Sequence, residues 1–212
     1  MTCRFFCCNL FKLILVFVVV FGRRKNMSFI PDFELGLWNA WIPIIPLIIY
    51  WFSGVKFLFS KRMSKTPSLK RRRDRIISNT LVIAMFFSFF YSIFVPLKLG
   101  TIWFIIGLLV YLAGMVLINI TMINFATTPI DKPVTKGAYR YSRNPMFMGF
   151  FLVYAGIAIA CISWVYMVLT ILFILMVHHL SPFEEAITLG QYGKAYKEYI
   201  KRTPKWIGIP KK

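Results

Sequence analysis

Two short segments hold most of the residues able to do chemistry. Residues 136–149 read KGAYRYSRNPMFMG and residues 184–199 read EEAITLGQYGKAYKEY. In the first, Arg143 and Asn144 stand just ahead of Pro145, which suits the first turn of a helix because the N–H it lacks would be unpaired there. Unpaired backbone donors at a helix start attract a carboxylate or a phosphate. Gly137 ends a loop, and Gly149 allows backbone or ligand to approach closely. In the second segment, Glu184 and Glu185 are adjacent acids placed directly after an apolar stretch. Tyr192, Tyr196 and Tyr199 recur at i, i+4 and i+7, one face of a helix. The four cysteines, Cys3, Cys7, Cys8 and Cys161, form no CxxC pair, and no Cys/His cluster has zinc-like spacing, so no metal site is expected.

The elements that must position these residues are apolar. Of 212 residues, 58% are hydrophobic, and the mean hydropathy is +0.68. A membrane span needs roughly 20 mostly apolar residues. Such stretches fall at about 38–59, 76–97 and 101–124. Residues 146–180 are apolar for too long to form one ordinary span, and they predict a hairpin that turns near Cys161, Ile162 and Ser163. The expected fold is all-α: a polytopic membrane helix bundle of about five spans, ending in a helical hairpin. Gly107 and Gly114 are expected to permit close helix contact. Residues 13–21 are apolar but short for a span. Residues 1–26 therefore read as an N-terminal extension or weak anchor, and Met27 as a natural start. Residues 27–123 carry the first three spans, and 124–212 a cofactor-binding region with the hairpin.

Charge gives an orientation. The chain has 26 Lys and Arg against 7 Asp and Glu, a formal net charge of +19. The cations gather in segments 56–75, 125–145 and 181–212, which hold nine, four and seven of them. No basic stripe on a soluble fold can be drawn, so nucleic acid is not the expected partner. Five spans would put all three segments on one side, and the positive-inside rule makes that side cytosolic, C-terminus included.

Folding the hairpin back would bring the two chemical segments together at the cytosolic surface. In order and spacing, Gly137 to Gly149 resembles the G-x-Y-x-x-x-R-H-P-x-Y-x-G signature of the isoprenylcysteine carboxyl methyltransferase and phospholipid methyltransferase superfamily. Glu184, Glu185, Tyr192, Gly193, Tyr196 and Tyr199 look like its E-E-(x6)-F-G-x-x-Y-x-x-Y partner. The resemblance covers about residues 120–205.

That resemblance implies a membrane methyltransferase that uses S-adenosylmethionine and takes a lipid-like acceptor from the bilayer. By motif position, Tyr139, Asn144, Pro145, Met146 and Phe147 would contact the cofactor. So would Asn124, the stretch Asp131, Lys132, Pro133 and Val134, and the acid Glu184. Arg143 and Glu184 would be the catalytic pair. Aromatic faces suit the adenine and the sulfonium, and Glu184 suits the α-ammonium. Two positions depart from the pattern. Asn144 replaces the family His and cannot titrate. Leu180 stands where the prenylcysteine enzymes carry an Arg that resembles a clamp for the substrate carboxylate, so such an acceptor is disfavoured. Sterol reductases share a similar C-terminal bundle, which leaves an NADPH-dependent reductase as the alternative. A non-catalytic protein on the same scaffold is the other. The acceptor and the oligomeric state are open.

Overall fold

Five helices lie in the described part of the chain. α1 is Trp41–Gly54, α2 Arg72–Ser92, α3 Ile102–Ala126, α4 Pro145–Cys161 and α5 Trp164–Arg202, with a 3-10 turn at Gly137–Arg140. The structure, a computed structural model, describes residues 35–54 and 72–210. The run at 13–21, the proposed start at Met27, the end of the first expected span and most of the basic segment 56–75 lie outside them. No strand occurs among the described residues, where Asn39 and Pro96 form one isolated bridge.

Each helix boundary has a local cause. α1 starts at Trp41 rather than Trp38 because residues 38–40 pair with the chain leaving α2. Ala40 N donates to Val95 O at 2.8 Å and Leu97 N to Trp38 O at 3.0 Å. The same pairing ends α2 at Ser92, earlier than the sequence suggests, and Asn39 Nδ2 caps it by donating to Ile93 O at 2.7 Å. Thr101 caps α3, its hydroxyl accepting from Phe104 N at 3.2 Å. The hairpin turns where expected. Ile162 takes the left-handed conformation at φ 51°, and the Ser163 hydroxyl accepts from Tyr166 N.

α3 and α4 pack antiparallel along a seam of glycines. Gly107 faces Gly156, and Gly114 faces Gly149. A Cβ on Gly107 would lie 2.6 Å from Gly156 O, and one on Gly114 would lie 2.8 Å from Gly149 O. Only residues without side chains allow backbones this close. The expected contact at Gly107 and Gly114 is therefore present. Gly149 serves helix packing rather than an approach to ligand.

α5 packs on α4 and on α2 through an aromatic core. Tyr166 is fully buried and donates from its hydroxyl to Ser88 O at 2.9 Å. Its ring lies 5.4 Å from that of Tyr91. Tyr154 and Phe173 meet at 5.6 Å.

Two helices, α3 and α5, are long and apolar enough to cross a membrane. In α3 only 28% of the most apolar window is buried, and in α5 33%. A core helix of a soluble protein would be mostly buried. Here Ile105, Leu109, Leu112, Val116, Leu172 and Leu175 stay exposed. With its 17 residues, α4 is about 25 Å long at ~1.5 Å per residue, short of ~30 Å of hydrocarbon. α5 continues without interruption past its apolar part at 164–180, through Pro182, into the polar region. Its helical geometry breaks at Gly193 (φ 52°, ψ −122°).

Candidate functional site

The polar half of α5 folds onto the loop between α3 and α4. Four contacts hold the two together. Arg143 Nη1 and Glu185 Oε2 form an ion pair at 3.1 Å, with side chains only 12% and 18% exposed. Tyr199 Oη donates to Tyr139 O at 2.6 Å and lies 3.3 Å from Ser142 O. Tyr192 Oη donates to Ile130 O at 3.2 Å. The chain after α5 then runs back along the same loop. Arg143 N donates to Pro204 O at 3.0 Å, Asn144 Nδ2 to Lys205 O at 3.0 Å, and Gly208 N to Tyr141 O at 3.1 Å.

The tyrosine stripe therefore binds protein. Tyr196 and Tyr199 are buried, while Lys194, Lys197 and Lys201 occupy the exposed face. An interfacial helix with its tyrosines in lipid would have the same sequence spacing. What decides between them is the hydroxyl of Tyr199, which reaches two carbonyls of the loop.

Gly137 has two reasons to be glycine. Its φ of 61° lies in the left-handed region, and a Cβ there would collide with the side chain of Asn124. Asn124, near the end of α3, thus lies against the start of the motif. Asn144 stands at the N-cap position of α4 without a capping side-chain hydrogen bond and is buried, with Ser142 Oγ accepting from its N–H at 3.0 Å. Its side-chain amide donates to the carbonyl of Lys205. Pro145 is fully buried, and Met146 and Phe147 pack against the core from partly buried positions. Of the stretch 131–134, Asp131 and Lys132 are exposed and Val134 is buried. Leu180 is buried.

Electrostatics separates the adjacent acids. Glu185 is the partner of Arg143. Glu184 lies beyond the apolar part of α5, and burial and then the neighbouring Glu185 push its carboxyl up to about 7. The Tyr196 hydroxyl is pushed up to about 12, first by burial and then by Glu185; Arg143 opposes the shift and Glu184 adds to it. The Tyr199 hydroxyl is also raised, chiefly by burial. Arg143, Glu184 and Glu185 thus all act on Tyr196.

Four side-chain atoms are buried without a hydrogen-bond partner among the described residues: Asn124 Nδ2, Arg143 Nε, Ser181 Oγ and Glu185 Oε1. Ser181 lies one helical turn before Glu185. Buried polar atoms are nearly always paired. Arg143 Nε and Glu185 Oε1, a donor and an acceptor left over on the two partners of one ion pair, are able to hold a polar ligand. The sequence pointed to Asn124, Arg143 and Glu184. It missed Glu185 as the ion-pair partner, Ser181, and the returning segment 203–208, for which no motif gave a signal.

Residues 95–195 match the family model described as phospholipid methyltransferase. No curated protein and no solved structure matches the chain.

Proposed function

We propose that this protein transfers a methyl group from S-adenosylmethionine to a lipid-like acceptor at the membrane, a reading supported by the match of residues 95–195 to the family model described as phospholipid methyltransferase. The observation that carries the reading is the Arg143–Glu185 pair, which joins the two motif segments and leaves polar atoms over on both partners. The donors Arg143 Nε and Asn124 Nδ2 suit the cofactor's carboxylate, and Glu184 suits its ammonium. Tyr139, Met146 and Phe147 offer aromatic and thioether surface to the adenine and the sulfonium. Asn144 and Pro145 set the turn that carries Arg143, and the stretch from Asp131 to Val134 lines the same loop. When bound, S-adenosylmethionine supplies an electrophilic methyl group on sulfur. What the chain contributes is alignment and exclusion of water, the main needs of an in-line displacement.

Membrane placement rests on the two long apolar helices and their exposed apolar faces. The multi-pass arrangement and the cytosolic position of the site rest on the distribution of Lys and Arg. Leu180, buried and apolar, speaks against a carboxylate acceptor. Calorimetric titration of the purified protein with S-adenosylmethionine and with NADPH tests the proposal. Saturable binding of S-adenosylmethionine alone is expected. Binding of NADPH instead would make the site a reductase's, and binding of neither would leave a scaffold without catalysis.

A further inference from the structure

The returning segment has a second face. Trp206 packs inward, its ring stacked on His178 at 6.0 Å, and Gly208 N is bonded to Tyr141 O. Between and beyond them, Ile207 is 71% exposed and Ile209 89%. These are among the most exposed large apolar side chains described, and they lie outside any helix. His178 stands at the end of the apolar part of α5, so the stacking fixes Trp206 level with that end. The pairing of Arg143 N with Pro204 O fixes the neighbouring residues beside the start of α4. If α5 crosses the bilayer, the two isoleucines sit at its interface.

Charge names the occupant. After Glu198 the chain holds Lys201, Arg202, Lys205, Lys211 and Lys212, and no acid. Cations flanking exposed apolar residues, beside an interfacial Trp, are complementary to a layer of anionic headgroups over hydrocarbon. A second copy of the same tail would bring like charges together.

We infer that residues 205–210 dock on an anionic phospholipid surface, with Ile207 and Ile209 entering the leaflet and the surrounding excess of cations attracting headgroup phosphates. Docking pulls in the same direction as the three hydrogen bonds that hold 204–208 on the loop at 141–144. The anchor therefore keeps the segment seated over the candidate site. This inference rests on the membrane placement proposed above and not on methyl transfer.

Nitroxide labels on Ile209→Cys and, separately, on Leu172→Cys test it. Both are made in the full chain with Cys3, Cys7 and Cys8 changed to Ser, and reconstituted in nanodiscs of phosphatidylcholine with or without phosphatidylserine. Collision with oxygen against a water-soluble nickel chelate reports depth. Oxygen is expected to dominate at 172 in both lipids, and at 209 more strongly with phosphatidylserine. Changing Lys205, Lys211 and Lys212 to Gln should shift the docked-to-undocked ratio at 209 roughly fivefold per lysine, the attraction each cation has for an anionic surface. A label at 209 that stays open to nickel in both lipids, while 172 is immersed, overturns the inference alone. An aqueous 172 overturns the membrane placement and the inference with it. Dipolar broadening between labels at 209 would assign the face to a second copy and likewise overturn the proposal.

Discussion

Arg143 and Glu185 meet at 3.1 Å across 42 residues of sequence, the one ion pair between the two motif segments among the described residues. Each group is mostly withdrawn from water, so removal of either leaves the other partly desolvated and unpaired. Glu185→Gln and Arg143→Gln should each cost roughly 2–4 kcal/mol, well above a surface pair. The double variant should cost less than the sum of the two. Chemical denaturation in detergent across this cycle measures it, and strict additivity would mean that the pair carries no coupling.

The glycine seam gives a sharper contrast. Gly156→Ala puts a Cβ 2.6 Å from Tyr111 N, and neither backbone can move without displacing its helix. A loss of about 1–3 kcal/mol is expected from overpacking. Gly190→Ala has open space around it and sits in a helix, so it should stabilise by up to ~1 kcal/mol. Thermal melts of the two variants should move in opposite directions.

Glu184 makes stability and binding respond oppositely to pH. Its folded-state carboxyl titrates near 7, above its ordinary value of 4.5. The stability this gives is fully present below pH 4.5 and is lost as pH rises through 7. Glu184→Gln should therefore melt higher than wild type at pH 8 and equally at pH 4.5. Affinity for S-adenosylmethionine runs the other way, since pairing with its ammonium needs the carboxylate. Wild-type binding should strengthen through pH 7. The Gln variant should bind about tenfold more weakly at pH 8, the equivalent of one charge-assisted hydrogen bond. Equal affinities by calorimetry would remove Glu184 from the cofactor site.

Tyr199→Phe deletes a hydroxyl that serves the carbonyls of Tyr139 and Ser142 while leaving the ring in place. The expected cost is about 1–2 kcal/mol, concentrated in the loop. Amide hydrogen exchange at 137–144 should accelerate, with α3 and α4 unchanged. Uniform acceleration across the molecule would contradict so local a role.

The sequence carried the hairpin turn because a physical length limit forced it. Thirty-five apolar residues exceed one span, and a serine able to cap stood at the midpoint. Ile162 in the left-handed region was not legible, since that conformation normally selects glycine or asparagine. The choice of Glu185 over Glu184 as partner of Arg143 was equally hidden. Neighbouring residues on a helix point about 100° apart, and rotation of α5 is set by Tyr166, Phe173 and other contacts distant from the acids. Gly137 was read as ending a loop, and its collision with Asn124 is a tertiary fact. Residues 203–208 make their hydrogen bonds to the loop through their own backbone groups, which every sequence possesses, and the stacking of Trp206 on His178 is a tertiary contact that no motif announced.

The paired glycines of α3 and α4 also decide where the molecule can breathe. Two helices in direct backbone contact act as one thicker rod, because sliding or splaying either forfeits the fit along the whole seam at once. Between α5 and its neighbours the spacing is kept by rings such as Tyr91, Tyr154 and Phe173, which can turn about their side-chain bonds. On the proposed reading, an acyl-bearing acceptor would enter on that aromatic side, so bulk-altering substitutions there should change which acceptors are used, while those along the glycines should change whether the rod exists.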